Sequence, residues 1–447
     1  MPTGRLAAVA ALLAPLLAIS PAPVVPTVLG ANAALLALAL LDAALAPAPS
    51  ALTLTRDTPE ALTLGREATV TWHVTNPGRR VVSLRLADEL PPSLGADDRR
   101  ADVRVPPGGR ARASTTIRPT RRGRYRPSWV TMRVKGPLGL LARQDVAEVP
   151  GELRVYPAFP SREEAELRVA RAQMLQAGQR LARGQGGGEF DRLREYGLDD
   201  EFRHMDWRAT ARTGKAIVRT YRAERNQTVL LLVDSGRTMA GQVAVGDGRN
   251  RAGLADVPWT VPRLDHAMDA TMMLTVVATG LGDSAGMVAF ADRVRAVVPP
   301  RGRADQLRRV TEALYPLHPV LTESDYREAF AQTLARFRRR ALLVVLTELS
   351  PEPMAETLLP ALPLVLRDHL VVVAGIRDPE VDRWAHAVPT ESSTAYRKAA
   401  AVQALADRRH AVGQLRGLGA TVVDEVPARL PGALADVYLD VKSTGKL

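Results

Sequence analysis

The chain opens with two apolar runs separated by a proline-rich break. Leu6–Ile19 is apolar apart from one proline and follows Arg5, and Val28–Ala46 is apolar apart from Asn32 and Asp42. Between them lies Ser20-Pro21-Ala22-Pro23-Val24-Val25-Pro26-Thr27, which no regular helix crosses easily. A bilayer-spanning helix needs roughly 17–25 apolar residues, so the second run fits and the first fits only by extending into the prolines. The expectation is a helical hairpin with a short outer turn. A cleavable signal peptide at the first run is the alternative, having a basic start and a short apolar stretch. With two spans and Arg5 inside, the rest of the chain returns to the cytoplasm.

Beyond the linker Ala46-Pro47-Ala48-Pro49-Ser50 the period shortens to two. Leu52–Leu54, Thr69–Val74, Val81–Leu86, Ala111–Ile117 and Val130–Val134 alternate apolar and polar residues, with turns such as Asn76-Pro77-Gly78 between them. Evenly spaced short strands predict a β-sandwich-like domain over residues 51–157. Residues 158–227 read as a connecting segment, with a helix at Ser161–Arg183 and a flexible glycine break at Gly184–Gly188. No Lys-Ser/Thr follows those glycines, so they do not form a phosphate loop.

From residue 228 to 447 the pattern changes again. Thr228–Val233, Gly286–Phe290, Val294–Val298, Ala341–Leu346, Leu370–Ala374 and Thr421–Val423 are apolar stretches of strand length. Helical stretches at Leu264–Gly280, Ala304–Leu314, Tyr326–Phe337, Met354–Arg367, Tyr396–Leu418 and Gly432–Val441 alternate with them. Continuous apolar strands between helices predict a doubly wound, mostly parallel α/β sheet covered on both faces. The chain is thus expected to be multi-domain: residues 1–50 a membrane hairpin and linker, then the β domain, the connecting segment and the α/β domain.

Composition narrows the function classes. There is no cysteine, which removes disulfides, thiol catalysis and cysteine metal sites. The seven histidines show no metal-ligand spacing. The net charge of +12 comes almost entirely from arginine. Its basic runs are not interleaved with aromatics and no nucleic-acid-binding signature is present. A cytoplasmic protein beside anionic lipid accounts for the charge more simply.

The densest candidate chemistry is Val233-Asp234-Ser235-Gly236-Arg237-Thr238-Met239, just past the first buried strand, where open α/β sheets present their sites. An Asp there, with nearby hydroxyls, can hold a hard divalent cation such as Mg²⁺. Thr322-Glu323-Ser324-Asp325 and Thr347-Glu348-Leu349-Ser350 fall in matching positions. Three readings compete. One is an adhesion-type metal site of D-x-S-x-S form: Asp234 and Thr238 match, Gly236 replaces the first Ser, Glu348 stands where an Asp is usual, and Thr322 or Ser324 supplies an oxygen. The second is an aspartyl-phosphate site of D-x-D-x-T form, in which Gly236 removes the second Asp; Asp292 and Asp305 do not form a paired acidic motif, and no lysine lies between Lys215 and Lys398. In the third, Asp234 caps the next segment and binds no ion. No G-x-S-x-G, S-x-x-K or H-E-x-x-H occurs, and the expectation is a binding protein rather than an enzyme.

One stretch remains. Residues 189–215 cluster Arg and Asp around Tyr196 and Trp207, a composition suited to an ion-pair network or a surface for an acidic partner. Phe190, Leu193, Arg194, Tyr196, Asp200, Arg203, Trp207, Ala211, Arg212 and Gly214 resemble the signature of the domain of unknown function 58 (DUF 58) family. Arg122-Gly123-Arg124-Tyr125, Gly136-Pro137-Leu138-Gly139-Leu140 and the terminal Tyr438–Leu447 are similar to other parts of that family. The resemblance implies a β-rich domain followed by a von Willebrand factor A-like domain with a metal site that is often degenerate. It also implies association with MoxR-type AAA+ ATPases and membrane proteins, and no established catalytic activity. The expected protein is an adaptor in the cell membrane, facing the cytoplasm; the alternatives are a structural envelope scaffold without metal and a Mg²⁺-dependent phosphohydrolase using Asp234. Asp234, Thr238, Thr322, Ser324 and Glu348 ring its site, with Arg194, Tyr196, Asp200, Arg203, Trp207 and Arg212 as interaction residues.

Overall fold

A computed structural model describes residues 1–18, 23–182, 193–195, 197, 205, 207–219, 227–244 and 260–444. It separates into two compact units, Met1–Ala158 and Phe159–Leu447.

The first unit begins with two apolar helices, α1 (Gly4–Ala18) and α2 (Val24–Leu45). At about 1.5 Å per residue, α2 is about 33 Å long, the thickness of a bilayer core. Among the described residues it is the one helix long and apolar enough to cross a membrane, and α1 is a shorter apolar helix. Its length, composition and place near the N-terminus suit either a membrane span or a signal sequence. Its apolar side chains lie open over much of its surface, Val25 and Leu29 being 69% and 66% exposed. A helix apolar all round needs lipid or a partner to cover it.

Ten strands follow. They are β1 (Thr53–Asp57), β2 (Ala61–Thr63), β3 (Ala68–Thr75), β4 (Val82–Asp88), β5 (Arg100–Val105), β6 (Arg110–Ile117), β7 (Gly123–Tyr125), β8 (Trp129–Lys135), β9 (Ala142–Glu148) and β10 (Leu153–Tyr156). They form sheets of order β1-β3-β6, β2-β10-β7 and β5-β4-β8-β9. Alternation sends Val70, Trp72 and Val74 of β3 and Val82, Leu84 and Leu86 of β4 into the core. The buried Trp72 indole donates to Asp88 at 2.6 Å, and Asp88 also pairs with the buried Arg56 at 2.6 Å. Strands β2, β5, β7, β9 and β10 fall where the alternation predicts none. In β9 the side chains from Arg143 to Val146 are all exposed, so this edge strand carries no alternation to read.

The junction between α2 and this β unit is built around Asp42. Its fully buried carboxylate accepts main-chain N–H bonds from Leu138 (2.7 Å), Leu140 (2.7 Å) and Leu141 (3.0 Å) in the loop joining β8 to β9. Gly136 is required there, because a Cβ would lie 2.4 Å from the Asp42 carboxylate. The chain start is tied to the same place. Thr3 donates its amide to Leu140 O (3.1 Å), and Met1 and Ala142 exchange main-chain bonds of 2.7 and 2.9 Å. Residues 46–50, expected to be a linker, lead into a turn at Pro49–Ala51 that packs against β9, with Ala46 and Pro49 buried.

The second unit starts with α3 (Arg162–Ala182), β11 (Leu193–Glu195), α4 (Trp207–Thr213) and β12 (Ile217–Arg219). Its centre is a six-stranded sheet. The strands are β13 (Thr228–Asp234), β16 (Ser284–Phe290), β17 (Val294–Arg301), β18 (Leu342–Thr347), β19 (Leu370–Ile376) and β20 (Thr421–Glu425), and a small hairpin, β14 (Gln242–Ala244) with β15 (Thr260–Pro262), lies between β13 and β16 in the chain. The order is β17-β16-β13-β18-β19-β20; all neighbours are parallel except the edge strand β17. Both faces are covered. Val229, Leu231 and Val233 of β13 pack on the side of α5 (Arg263–Gly280), and Leu230 and Leu232 on the side of α7 (Tyr326–Arg336), with α6 (Gln306–Leu314) beside β17. The expected continuous helix at 354–367 is instead a series of short turns from 351 to 366, one with wider i→i+5 spacing, because Pro360 and Pro363 each remove a backbone donor. A helix at Pro379–His386, not expected from the sequence, precedes the long helix Ser392–Gly417.

Candidate functional site

The strand order of the sheet reverses at β13: the chain goes from it to β16 on one side and β18 on the other. Crevices at such reversals, at the carboxyl ends of the strands, are where open α/β sheets bind ligands. Asp234 is the last residue of β13 and is fully buried.

Four donors converge on its carboxylate. On Oδ1 are the Gly236 amide at 2.8 Å and the Ser324 hydroxyl at 2.5 Å. On Oδ2 are the Tyr326 hydroxyl at 2.9 Å and the Thr347 hydroxyl at 2.6 Å. Tyr326 and Thr347 also touch each other at 2.6 Å, so two hydroxyl protons serve three short contacts. Burial, with Asp234 beside it, pushes the Tyr326 hydroxyl well above its ordinary range, which keeps it protonated. Its ring packs edge-on to Phe290 at 5.4 Å. The donors come from the loop after β13, the start of α7 and the end of β18, so one carboxylate fixes three segments. Main-chain bonds tighten them further, with Arg237 N on Thr322 O at 2.9 Å and Val320 N on Ser235 O at 2.8 Å.

Gly236 explains the departure from D-x-S-x-S. Its φ of −78° is open to any residue, so the demand is steric. A Cβ there would lie 2.1 Å from Ser324 Oγ and 3.0 Å from Thr322 O. The missing side chain is the space through which Ser324 reaches Asp234.

Of the five residues expected to ring a metal, the structure brings together Asp234 and Ser324. Thr238 lies half-buried in the turn Arg237–Ala240, and Thr322 is exposed and contributes its carbonyl to Arg237. Glu348 turns elsewhere: its oxygens lie 2.5 Å from Arg408 and 3.1 Å from Arg263, the latter an ion pair without hydrogen-bond alignment. Arg408 also grips Asp424 at 2.8 Å, and these two carboxylates raise its pKa against the opposing effect of burial. A carboxylate offers about four acceptor directions, and at Asp234 three are taken by protons when Tyr326 and Thr347 bond each other and four when they do not. Among the described residues no group of three or more His, Asp or Glu side chains could hold a metal. In this arrangement the hydroxyl protons are turned toward Asp234, so a cation there would have to turn them away before the same oxygens could coordinate it.

Tyr326 and Thr347 were not anticipated as partners of Asp234. Thr347 carried a signal, since it ends a buried strand beside Glu348, whereas Tyr326 reads as an ordinary first helical residue. Of the signature residues, Arg194 lies in β11 opposite Val218 of β12. Trp207 begins α4 and is 65% exposed, and Arg212 is exposed in its last turn. Tyr196, Asp200 and Arg203 lie outside the described residues, as does the glycine break at 184–188.

No curated protein matched the chain. Among solved structures, the conserved hypothetical protein BatB from Bacteroides thetaiotaomicron is 13% identical over 49% of this chain and 100% of its own, with a TM-score of 0.31. The CARDB domain of a Pyrococcus furiosus protein is 17% identical over 24% of this chain and 94% of its own, with a TM-score of 0.18. At such scores the superpositions do not define a common fold. In sequence, residues 192–383, which run from β11 through the Asp234 cluster into the helix Pro379–His386, match the family described as protein of unknown function DUF58.

Proposed function

We propose that this protein is a membrane-anchored adaptor whose second unit is a von Willebrand factor A-like domain facing the cytoplasm, and that it docks a MoxR-type AAA+ ATPase on the carboxyl end of its sheet. The reading is supported by the apolar helices, the strand order with its antiparallel edge, and the DUF58 match. The observation that carries it is the state of Asp234. A buried carboxylate held by four neighbouring donor groups is poorly placed to attack phosphorus or take a proton, but it makes three loops into one fixed surface. That favours recognition over turnover, and recognition without Mg²⁺. At the rim of this surface are Leu321, 79% exposed, and the exposed pair Arg237 and Glu323.

The test is a crosslinked pull-down of the full chain from native membranes, read by mass spectrometry, with Glu323→Arg alongside. Enrichment of the ATPase with the wild type and its loss with Glu323→Arg, at unchanged thermal stability, supports docking here. Equal enrichment with both, or none with either, would remove the sheet end from the mechanism.

A further inference from the structure

We infer that the junction between the apolar helices and the β unit is a binding surface for anionic phospholipid headgroups. This rests on α2 spanning a membrane. The junction gathers cations. A Cβ at Gly139 would lie 3.1 Å from Arg5 Nη1, so Arg5 lies over the β8–β9 loop. Arg143 donates to Ala46 O, the residue just past the end of α2, at 3.2 Å. Arg133 reaches Met1 Sδ at 3.5 Å, and Lys135 stands opposite Ala142, whose main chain is bonded to Met1. All four cations are exposed, and they flank the β8–β9 hairpin on both of its faces.

Two carboxylates reach this end, and Lys135 acts on the second of them. Asp42 is enclosed by the loop amides, and Asp102 is paired with Arg85 at 2.6 Å. The four cations outnumber these two carboxylates, and they sit where apolar helix meets polar domain, the depth of lipid phosphates. Because Asp42, Thr3 and Met1 fix this loop to the helices, the cations are held at that depth and do not hang on a tether. Clustered Lys and Arg beside a span are attracted to anionic lipid, each contributing about fivefold in binding. The same asymmetry places this side of the hairpin in the cytoplasm.

The test places the full chain in nanodiscs of equimolar phosphatidylglycerol and phosphatidylcholine and releases it for native mass spectrometry. The expected result is retention of phosphatidylglycerol over phosphatidylcholine, with the ratio falling about fivefold in each of Arg5→Gln and Arg143→Gln and further in the double variant. Arg99→Gln, at the opposite end of the β5-β4-β8-β9 sheet, should leave the ratio unchanged. Millimolar inorganic phosphate should not displace the lipid; displacement would mean an anion site unrelated to the membrane and would overturn the inference. An unchanged ratio in the Arg5 and Arg143 variants overturns it too. Carbonate extraction of vesicles separates the two failures: a chain that washes off never spanned the bilayer, whereas one that stays and shows no lipid preference spans it without this surface.

Discussion

Asp42 and Asp234 are both fully buried carboxylates at the ends of apolar elements, and each is saturated with donors, but the donors differ in kind. Asp42 is held by three main-chain amides of one loop, Asp234 by three side-chain hydroxyls and a single amide. Amides cannot turn away or pair with one another, so the Asp42 junction is rigid and depends on one side chain. Hydroxyls rotate and both donate and accept, so the Asp234 cluster can partly repair itself when one member leaves. The first arrangement suits a fixed mount. The second suits a surface whose loops are set by a few side chains.

The largest expected effect is therefore at the mount. Asp42→Ala strands three loop amides, one buried and two part-buried, and should cost roughly 3–5 kcal/mol, read as lost hydrogen-exchange protection in the β8–β9 loop and lower stability of the first unit. Asp234→Ala should cost less, about 2–3 kcal/mol, since Tyr326 and Thr347 can still bond each other. Equal losses at both sites would erase the distinction. Smaller again is Gly236→Ser, which restores the residue usual in D-x-S-x-S but drives its Cβ into Ser324 Oγ; about 1–3 kcal/mol is expected. Adding Ser324→Ala should cost less than the sum of the two changes, by about 1 kcal/mol in a double-mutant cycle. Strict additivity would mean that the glycine is not there for Ser324.

Which features were legible follows from the same contrast. The apolar strands β13, β16, β18 and β19 and the place of Asp234 could be read, because burial on both faces leaves continuous apolar runs. Ser324 was within reach as a hydroxyl on a neighbouring loop. The Asp42 partners were not, since backbone amides carry no residue signal and Leu138, Leu140 and Leu141 look like ordinary apolar residues. Arg408 as the partner of Glu348 was hidden for another reason: it lies 60 residues away on a helix that otherwise reads as solvated.

The smallest net effect is in pH. Burial pushes Asp269 up to about 6 and holds His266 down at about 4. For Asp269 the folded state holds its proton more tightly, so stability is gained as pH falls from 6 toward 4. Neutral His266 acts oppositely, and stability is lost over the fall from 6.5 to 4. Each amounts to roughly 3 kcal/mol and the two largely cancel. Asp269→Asn should leave a second unit that weakens steeply on acidification, and His266→Gln one that strengthens, followed by denaturant midpoints from pH 7 to 4.

The most direct test of adaptor function is a hydrogen-exchange footprint of the full chain in nanodiscs, with and without the purified AAA+ ATPase. The expected result is protection confined to residues 235–240 and 320–325, the loops that Asp234 holds together. Protection on the β unit alone, or nowhere, would contradict docking on the sheet end.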